Sequence, residues 1–360
     1  MASAPEVRKV FLDQAVACEA LDSPFTARIC RLFAERLDEA TPVGSHVLNW
    51  LGDPRIQADS VALRLCGALN YLVVSGADPI LAEAYPPAFD HTQHSNAALW
   101  EVLAEAMARN SAAITAFLAS APQTNEVRRS VALIPAYHAI SDRFGLPLAI
   151  RELGASAGLN LNAGQYGLMT GSFTMGPQDG LVLAPDWNGE MPVQAGVRVN
   201  SVRGCDLAPI DLRNERQALR LLAYIWPDQI ERVGLIRKAI GLAQANAVRI
   251  DLEDAINWLE RKLANRGEGV ATVIQHTVAW QYFPPEAKVR GEALLAEYGD
   301  QASETAPIAR ISMENDGSDT PGARLQLTLW PDGKVHELGR VDFHGRWIDW
   351  RNPETGRISQ

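Results

Sequence analysis

Arg151-Glu152-Leu153-Gly154-Ala155-Ser156-Ala157-Gly158-Leu159-Asn160 is the stretch on which the fold turns. The apolar run Leu148-Ala149-Ile150 leads into it, an acid ends that run, three small residues stand between two glycines, and Leu159-Asn160-Leu161 follows. This order predicts strand, turn and helix, with the turn free to approach a ligand at a helix N-terminus. A carboxylate at the strand end and a permissive backbone just beyond it are the parts of a Rossmann-like binding turn.

Working outward, nothing before Leu146 alternates with the period of a strand. Val10, Ala17 and Leu21, then Ile29, Leu32, Phe33 and Leu37, recur at helical spacing, with Ser23-Pro24 opening the second helix. Further helices are predicted over Val61 to Val74, from Asp78-Pro79, over Asn96 to Leu118 and over Asn125 to Arg143, where Gly145 and Pro147 end the last. After the turn, short apolar runs at Val197 to Cys205, Ala247 to Ile250, Val270 to Ile274 and Ile308 to Met313 are separated mostly by helical stretches such as Glu215 to Ile225 and Asp254 to Leu263. Strands alternating with helices imply a parallel sheet with crossover helices. Leu325 to Trp330, Pro331-Asp332-Gly333 and Val335 to Leu338 form a hairpin, so an antiparallel edge is expected to close the sheet. The expected organisation is a helical N-terminal domain over 1–144 and a Rossmann-like α/β domain over 145–360, with an inserted hairpin near 164–196.

The turn reads in two ways. As E-x-G-x-S-x-G, Glu152, Gly154, Ser156 and Gly158 resemble the first motif of S-adenosylmethionine-dependent methyltransferases, D/E-x-G-x-G-x-G, with Ser156 where the middle glycine usually stands. As G-x-S-x-G, Gly154 to Gly158 matches the nucleophile elbow of an α/β-hydrolase, with Asp316 or Asp319 and then His336 or His344 in the chain order of a triad. The helical character of everything before Leu146 favours the first, because a hydrolase elbow needs preceding strands to stand on.

Beyond the turn, Glu152-Leu-Gly-Ala-Ser-Ala-Gly-Leu-Asn-Leu161 is accompanied by Thr124-Asn-Glu-Val-Arg-Arg-Ser130, Asp206-Leu-Ala-Pro209, Trp226-Pro-Asp-Gln229 and His344-Gly-Arg-Trp347. Together these resemble a large bacterial family of unknown function over about Phe11 to Trp350. The resemblance implies a helical region joined to a methyltransferase-like Rossmann domain, with no activity attached to it.

Ligands of such sheets lie beyond the C-terminal strand ends, which nominates the remaining site residues. Glu152, Gly154, Ser156, Gly158 and Asn160 line the turn itself. Asp206, after the second strand, is placed to receive ribose hydroxyls, although it follows the turn at more than the usual spacing of about 20 residues. Asp251 and Asp254 follow the third strand, where methyltransferases often hold the adenine amino group; Asp254 also precedes a helix it would cap. Gln275 and His276 end the fourth strand, with Tyr282 close behind, and His276 is the candidate general base with Tyr282 beside it as the second catalytic candidate. Asn125, Glu126 and Arg129 form a polar cluster expected to close over the cofactor or acceptor.

Composition sets the limits. A formal net charge of -10 leaves no basic surface for a nucleic-acid backbone, and no stretch approaches the ~18 apolar residues of a membrane span. Four scattered cysteines without a C-x-x-C pair predict small buried hydrophobes in a reducing cytoplasm. His91-x-x-His94 lacks companion ligands, so no metal is expected. The leading expectation is S-adenosylmethionine as cofactor and a small-molecule or peptidyl acceptor. The alternative is a non-catalytic member of the same fold that binds a metabolite or protein.

Overall fold

The computed structural model describes residues 2–88 and 95–354. The chain begins with α1 (Ala4–Ala20), α2 (Pro24–Arg36), α3 (Pro42–Leu48), α4 (Val61–Val74), α5 (Pro79–Glu83), α6 (Asn96–Arg109) and α7 (Ser111–Leu118). One helix was expected over 96–118, but Asn110 divides it, because its side-chain amide donates to Asp78 Oδ2 and to the Ala106 carbonyl and holds the backbone at φ -109°. The short α3, which no periodicity predicted, is capped by Thr41, whose hydroxyl accepts the Gly44 N–H.

After a 3-10 turn at Val127–Arg129 come α8 (Ser130–Phe144) and β1 (Leu148–Leu153). Gly145 ends α8 in the left-handed region at φ +65°. The expected helix after the glycine turn is instead a 3-10 helix, Leu159–Gln165. Its first carbonyl, that of Leu159, accepts the Tyr166 phenol, and the Leu161 N–H returns three residues to Gly158, so an α-helical ladder is not built. Next are β2 (Gly167–Met169), β3 (Thr174–Met175), β4 (Val182–Leu183), β5 (Asp186–Gly189) and β6 (Val199–Asp206). The rest runs α9 (Glu215–Ala223), α10 (Ile230–Ala245), β7 (Ile250–Leu252), α11 (Ala255–Ala264), β8 (Ala271–Thr277), α12 (Pro285–Asp300), β9 (Ile308–Glu314), β10 (Ala323–Trp330), β11 (Lys334–Val341) and β12 (Trp347–Trp350).

The chain divides into two units: 1–124 with 213–237, and 125–212 with 238–360. The first is helical. Its core joins Phe11, Phe25, Phe33, Leu65 and Leu69 to Tyr224 and Trp226, and it buries Cys18, Cys30 and Cys66 as free thiols. The second unit starts at Asn125, so it includes α8, whereas the expected boundary lies between 144 and 145.

The second unit holds a nine-stranded sheet in the order β5-β12-β11-β10-β9-β8-β1-β6-β7. From β7 to β9 the pairing is parallel, and from β9 to β12 antiparallel. The antiparallel strands do not form the outermost edge, because β5 lies beyond β12 and pairs with it in parallel. The inserted segment also makes a separate sheet, β3-β2-β4, rather than one hairpin. Successive strands after β1 go first to one side (β6, β7) and then to the other (β8, β9), so β1 stands at a topological switch point. On one face, α11 and α12 bury Trp258, Leu259, Leu294 and Leu295 against Leu153, Cys205 and Ile274. On the other, α8 places Tyr137 against Gln275.

Candidate functional site

The site is built where β1 and β8 end side by side. Their register pairs Glu152 with Gln275, and because side chains alternate along a strand, both point to the α8 face while Leu153 and His276 point to the opposite one. The sequence reading grouped Gln275 with His276; the pleat separates them.

Glu152 is 2% exposed and Gln275 0%, and both carry buried polar atoms, Oε2 of the acid and Nε2 of the amide, that complete no hydrogen bond. Burial pushes the Glu152 carboxyl up to about 8, helped by the negative charge of Asp206 and opposed by the Gln275 amide and Arg129. At neutral pH it is therefore largely an uncharged acid. The Gln275 Oε1 is engaged, accepting the Tyr137 phenol at 2.5 Å.

The turn itself is shaped by close approach. Gly154 and Gly158 have φ +68° and +73°, and a Cβ on Gly154 would stand 2.7 Å from that of Ala279. Thus the loop after β8 touches the loop after β1, and glycine is required there by packing. Ser156 also occupies the left-handed region, at φ +53°. Its N–H donates to Asp206 Oδ2 at 2.8 Å, while its buried Oγ makes no hydrogen bond. No base touches the Ser156 hydroxyl, and Asp316 is instead ion-paired with Arg340. Asp206 also accepts the Ala208 N–H, so its carboxylate holds two backbone amides of adjoining loops. Exposed Leu207 and Leu252 flank it at neighbouring strand ends.

A strap over 125–130 is tied to the turn from above. Asn125 Oδ1 accepts the Leu159 N–H at 2.8 Å, the Asn160 amide donates to the Glu126 carbonyl, and the Ser130 hydroxyl donates to Asn160 Oδ1. Arg129 donates to the carbonyls of Thr277 and Phe343, both at 3.0 Å. The Glu126 carboxylate accepts the Arg128 N–H and lies 3.5 Å from His344 Nδ1. Four of the nominated motifs, 124–130, 152–161, 206–209 and 344–347, therefore meet at one end of the sheet.

The remaining nominees lie apart from Glu152. Asp251 is gripped by the Arg203 guanidinium and the Trp258 indole N–H; these pull its carboxyl down to about 2 against the upward push of partial burial. Asp254 caps α11, accepting from Ile256 and Asn257. Tyr282 is 74% exposed. His276 is fully buried and stacked on Trp280; its Nε2 accepts from Arg310 at 3.0 Å, so Nδ1 carries the proton and donates to Glu314 at 2.8 Å. Burial, with Arg310, holds the imidazole below its ordinary value against the pull of Glu314. Neither nitrogen is open to a substrate. His91 and His94 lie outside the described residues.

Two residues absent from the sequence reading organise the site. Tyr137 looks like one more core position of an apolar helix. Glu314 gathers the N–H groups of Ala279, Trp280 and Gln281 with its carboxylate and so fixes the loop that meets Gly154. An acid at the C-terminal end of a parallel strand is the signal that marks it. Among the described residues, no group of three His, Cys, Asp or Glu side chains is arranged to hold a metal ion, and no helix is long and apolar enough to cross a membrane.

The chain belongs to the family described as "Uncharacterized protein conserved in bacteria (DUF2332)", whose model matches residues 8–350. A search of curated proteins found no match.

Proposed function

We propose that the chain binds S-adenosylmethionine at the end of β1 and transfers its methyl group to a small or peptidyl acceptor. The observation that carries this reading is Glu152: a buried carboxyl with an unpartnered oxygen, at the end of the central strand and just before a turn in left-handed backbone. Such a group is costly to leave unpaired. A ligand ammonium would supply its partner, and its positive charge would favour the ionised carboxylate, the proton being released to solvent. The strand order supports the same reading, since β1 at the switch point is where Rossmann-like sheets, methyltransferases included, bind nucleosides.

The residues fit the cofactor in three places. Glu152 suits the amino group. Asp206 has acceptor capacity left on each oxygen beyond the two amides it holds, and suits ribose hydroxyls. Leu207 and Leu252 offer exposed apolar surface for a purine. Once bound, the cofactor would supply an electrophilic methyl group on sulfonium. The protein's part is then alignment of the acceptor, a role we assign to the strap 125–130, with Arg129 bracing it against the Thr277 and Phe343 carbonyls. Tyr282 is exposed beside the strand ends and remains a candidate to contact the acceptor, whereas His276 is proposed to brace the β8 loop rather than to act as base.

A second reading, a non-catalytic binding member of the fold, is favoured by the engagement of both His276 nitrogens and by Ser156 in the place of a glycine. Thermal shift with S-adenosylhomocysteine, NAD and NADP tests both. Saturating S-adenosylhomocysteine is expected to raise Tm by the equivalent of about 2.7 kcal/mol at 100 times its Kd, with Glu152→Ala abolishing the rise. A folded wild type that ignores S-adenosylhomocysteine sinks the cofactor. A rise without methyl transfer to any supplied acceptor pool supports the second reading.

A further inference from the structure

We propose that Tyr137 is a positioning residue that presets Gln275 to bind a carboxylate, so that Glu152 and Gln275 together receive the ammonium and carboxylate of an α-amino acid group. This rests on the reading above and names which end of the cofactor the ends of β1 and β8 would take.

The argument starts from an ambiguity of the glutamine side chain. A primary amide can present either its oxygen or its N–H2 to a given direction, at little cost unless something fixes it. Here the Tyr137 phenol fixes it, because its O–H donates to Oε1 and commits the oxygen to α8. The N–H2 is thereby turned to the side of Glu152, close enough to favour its charged form, yet Nε2 and the Glu152 Oε2 each stay without a completed hydrogen bond. Two buried, unpaired groups of complementary kind lie on adjacent strands, in register and on one face. One is an acid that accepts once ionised, the other a donor. An ammonium and a carboxylate joined through one carbon match that pair, whereas an uncharged nucleoside leaves both unsatisfied. Tyr137, Tyr166, Arg129 and Asp206 are the other titratable groups whose charge or phenol bears on Glu152. Of these, only Tyr137 is bonded to Gln275.

The test compares two probes, S-adenosylhomocysteine and 5′-methylthioadenosine, which lacks the amino acid end. Tyr137→Phe keeps the ring in the core and removes only the donor. It is expected to weaken S-adenosylhomocysteine about tenfold or more while leaving 5′-methylthioadenosine within about twofold. Equal weakening of both probes, or none of either, overturns the assignment. A second arm needs no ligand. The Glu152 carboxyl is titrated by carbon NMR in wild type, Tyr137→Phe, Gln275→Leu and the double variant. Both single changes are expected to raise the midpoint, and the double change to raise it no further than Gln275→Leu alone. An unmoved midpoint in Tyr137→Phe, or additive effects, overturns the coupling even if S-adenosylhomocysteine proves not to bind. Loss of S-adenosylhomocysteine binding in wild type, with the coupling intact, instead removes the cofactor reading.

Discussion

Glu152 and Gln275 face each other across β1 and β8, each with a buried polar atom left unpaired, just beyond Ile150 and Val273, the apolar pair that precedes them on the same face. Folded proteins rarely leave such groups unsatisfied without a functional reason.

The pair makes a stability prediction with a definite sign. The Glu152 pKa is raised on folding from an ordinary carboxylate value to about 8, so the native state holds a proton that the unfolded chain has released. Stability attributable to this group is full below the unfolded pKa and is lost as pH rises toward 8, by up to about 1.4 kcal/mol per pH unit. Glu152→Gln should flatten the denaturant midpoint between about pH 5 and pH 8 and gain most over wild type at the alkaline end. Parallel wild-type and variant curves over that range would show that the carboxyl is not buried uncharged.

Glu314 should behave as an anchor whose loss loosens one loop. It accepts from His276 and from three consecutive amides, and is charged because these partners outweigh the upward push of its burial. Glu314→Gln puts an amide donor where only acceptors fit, at a cost of about 2 to 4 kcal/mol. Hydrogen exchange at residues 279–281 should accelerate more than in the central strands. Uniform acceleration across the sheet would mean that the loop is not separately held.

How far the chain could be read in advance follows the range of the forces involved. The run Leu148-Ala149-Ile150 and the apolar segments of β8 and β9 announce themselves because each is locally apolar and bounded by breakers, and Val61–Val74 because every turn of α4 is buried. β5 was invisible: Asp-Trp-Asn-Gly has no alternation, and its place is set by pairing with β12 and by Trp187 lying 5.9 Å from Trp350, contacts distant in sequence. At the site, Glu152 was legible as an acid at a strand end. The division of Gln275 from His276 required only the two-residue period of β8, but fixing which neighbour each would meet needed α8 and β9 in place. Tyr137 carried no signal, since a tyrosine within a buried helix reads as packing.

Ser156 should tolerate loss of its hydroxyl. The Oγ is buried without a partner, and the residue's visible contributions are its backbone N–H to Asp206 and its carbonyl, which accepts from Ile210. Ser156→Ala is expected to be neutral or stabilising by about 1 kcal/mol, because it removes an unsatisfied polar atom. A serine-reactive phosphonate should leave the wild type unlabelled. Stoichiometric labelling at Ser156 would give the nucleophile-elbow reading new force.

Gly154 should be the least replaceable residue of the turn, for two separable reasons. Its φ of +68° strains any L side chain, by about 1 to 2 kcal/mol, and the added Cβ would stand 2.7 Å from the Ala279 Cβ. Ala279 cannot readily retreat, because its N–H is held by Glu314 at 3.0 Å. Gly154→Ala is therefore expected to destabilise by more than the backbone strain alone. In a double-mutant cycle, Ala279→Gly in the Gly154→Ala background should restore the contact part and leave the strain part, giving a favourable coupling of about 1 kcal/mol or more. Equilibrium denaturation of the four proteins measures it. A coupling near zero would mean that the β1 and β8 loops do not meet at these two residues, and the ligand site proposed at their approach would fall with it.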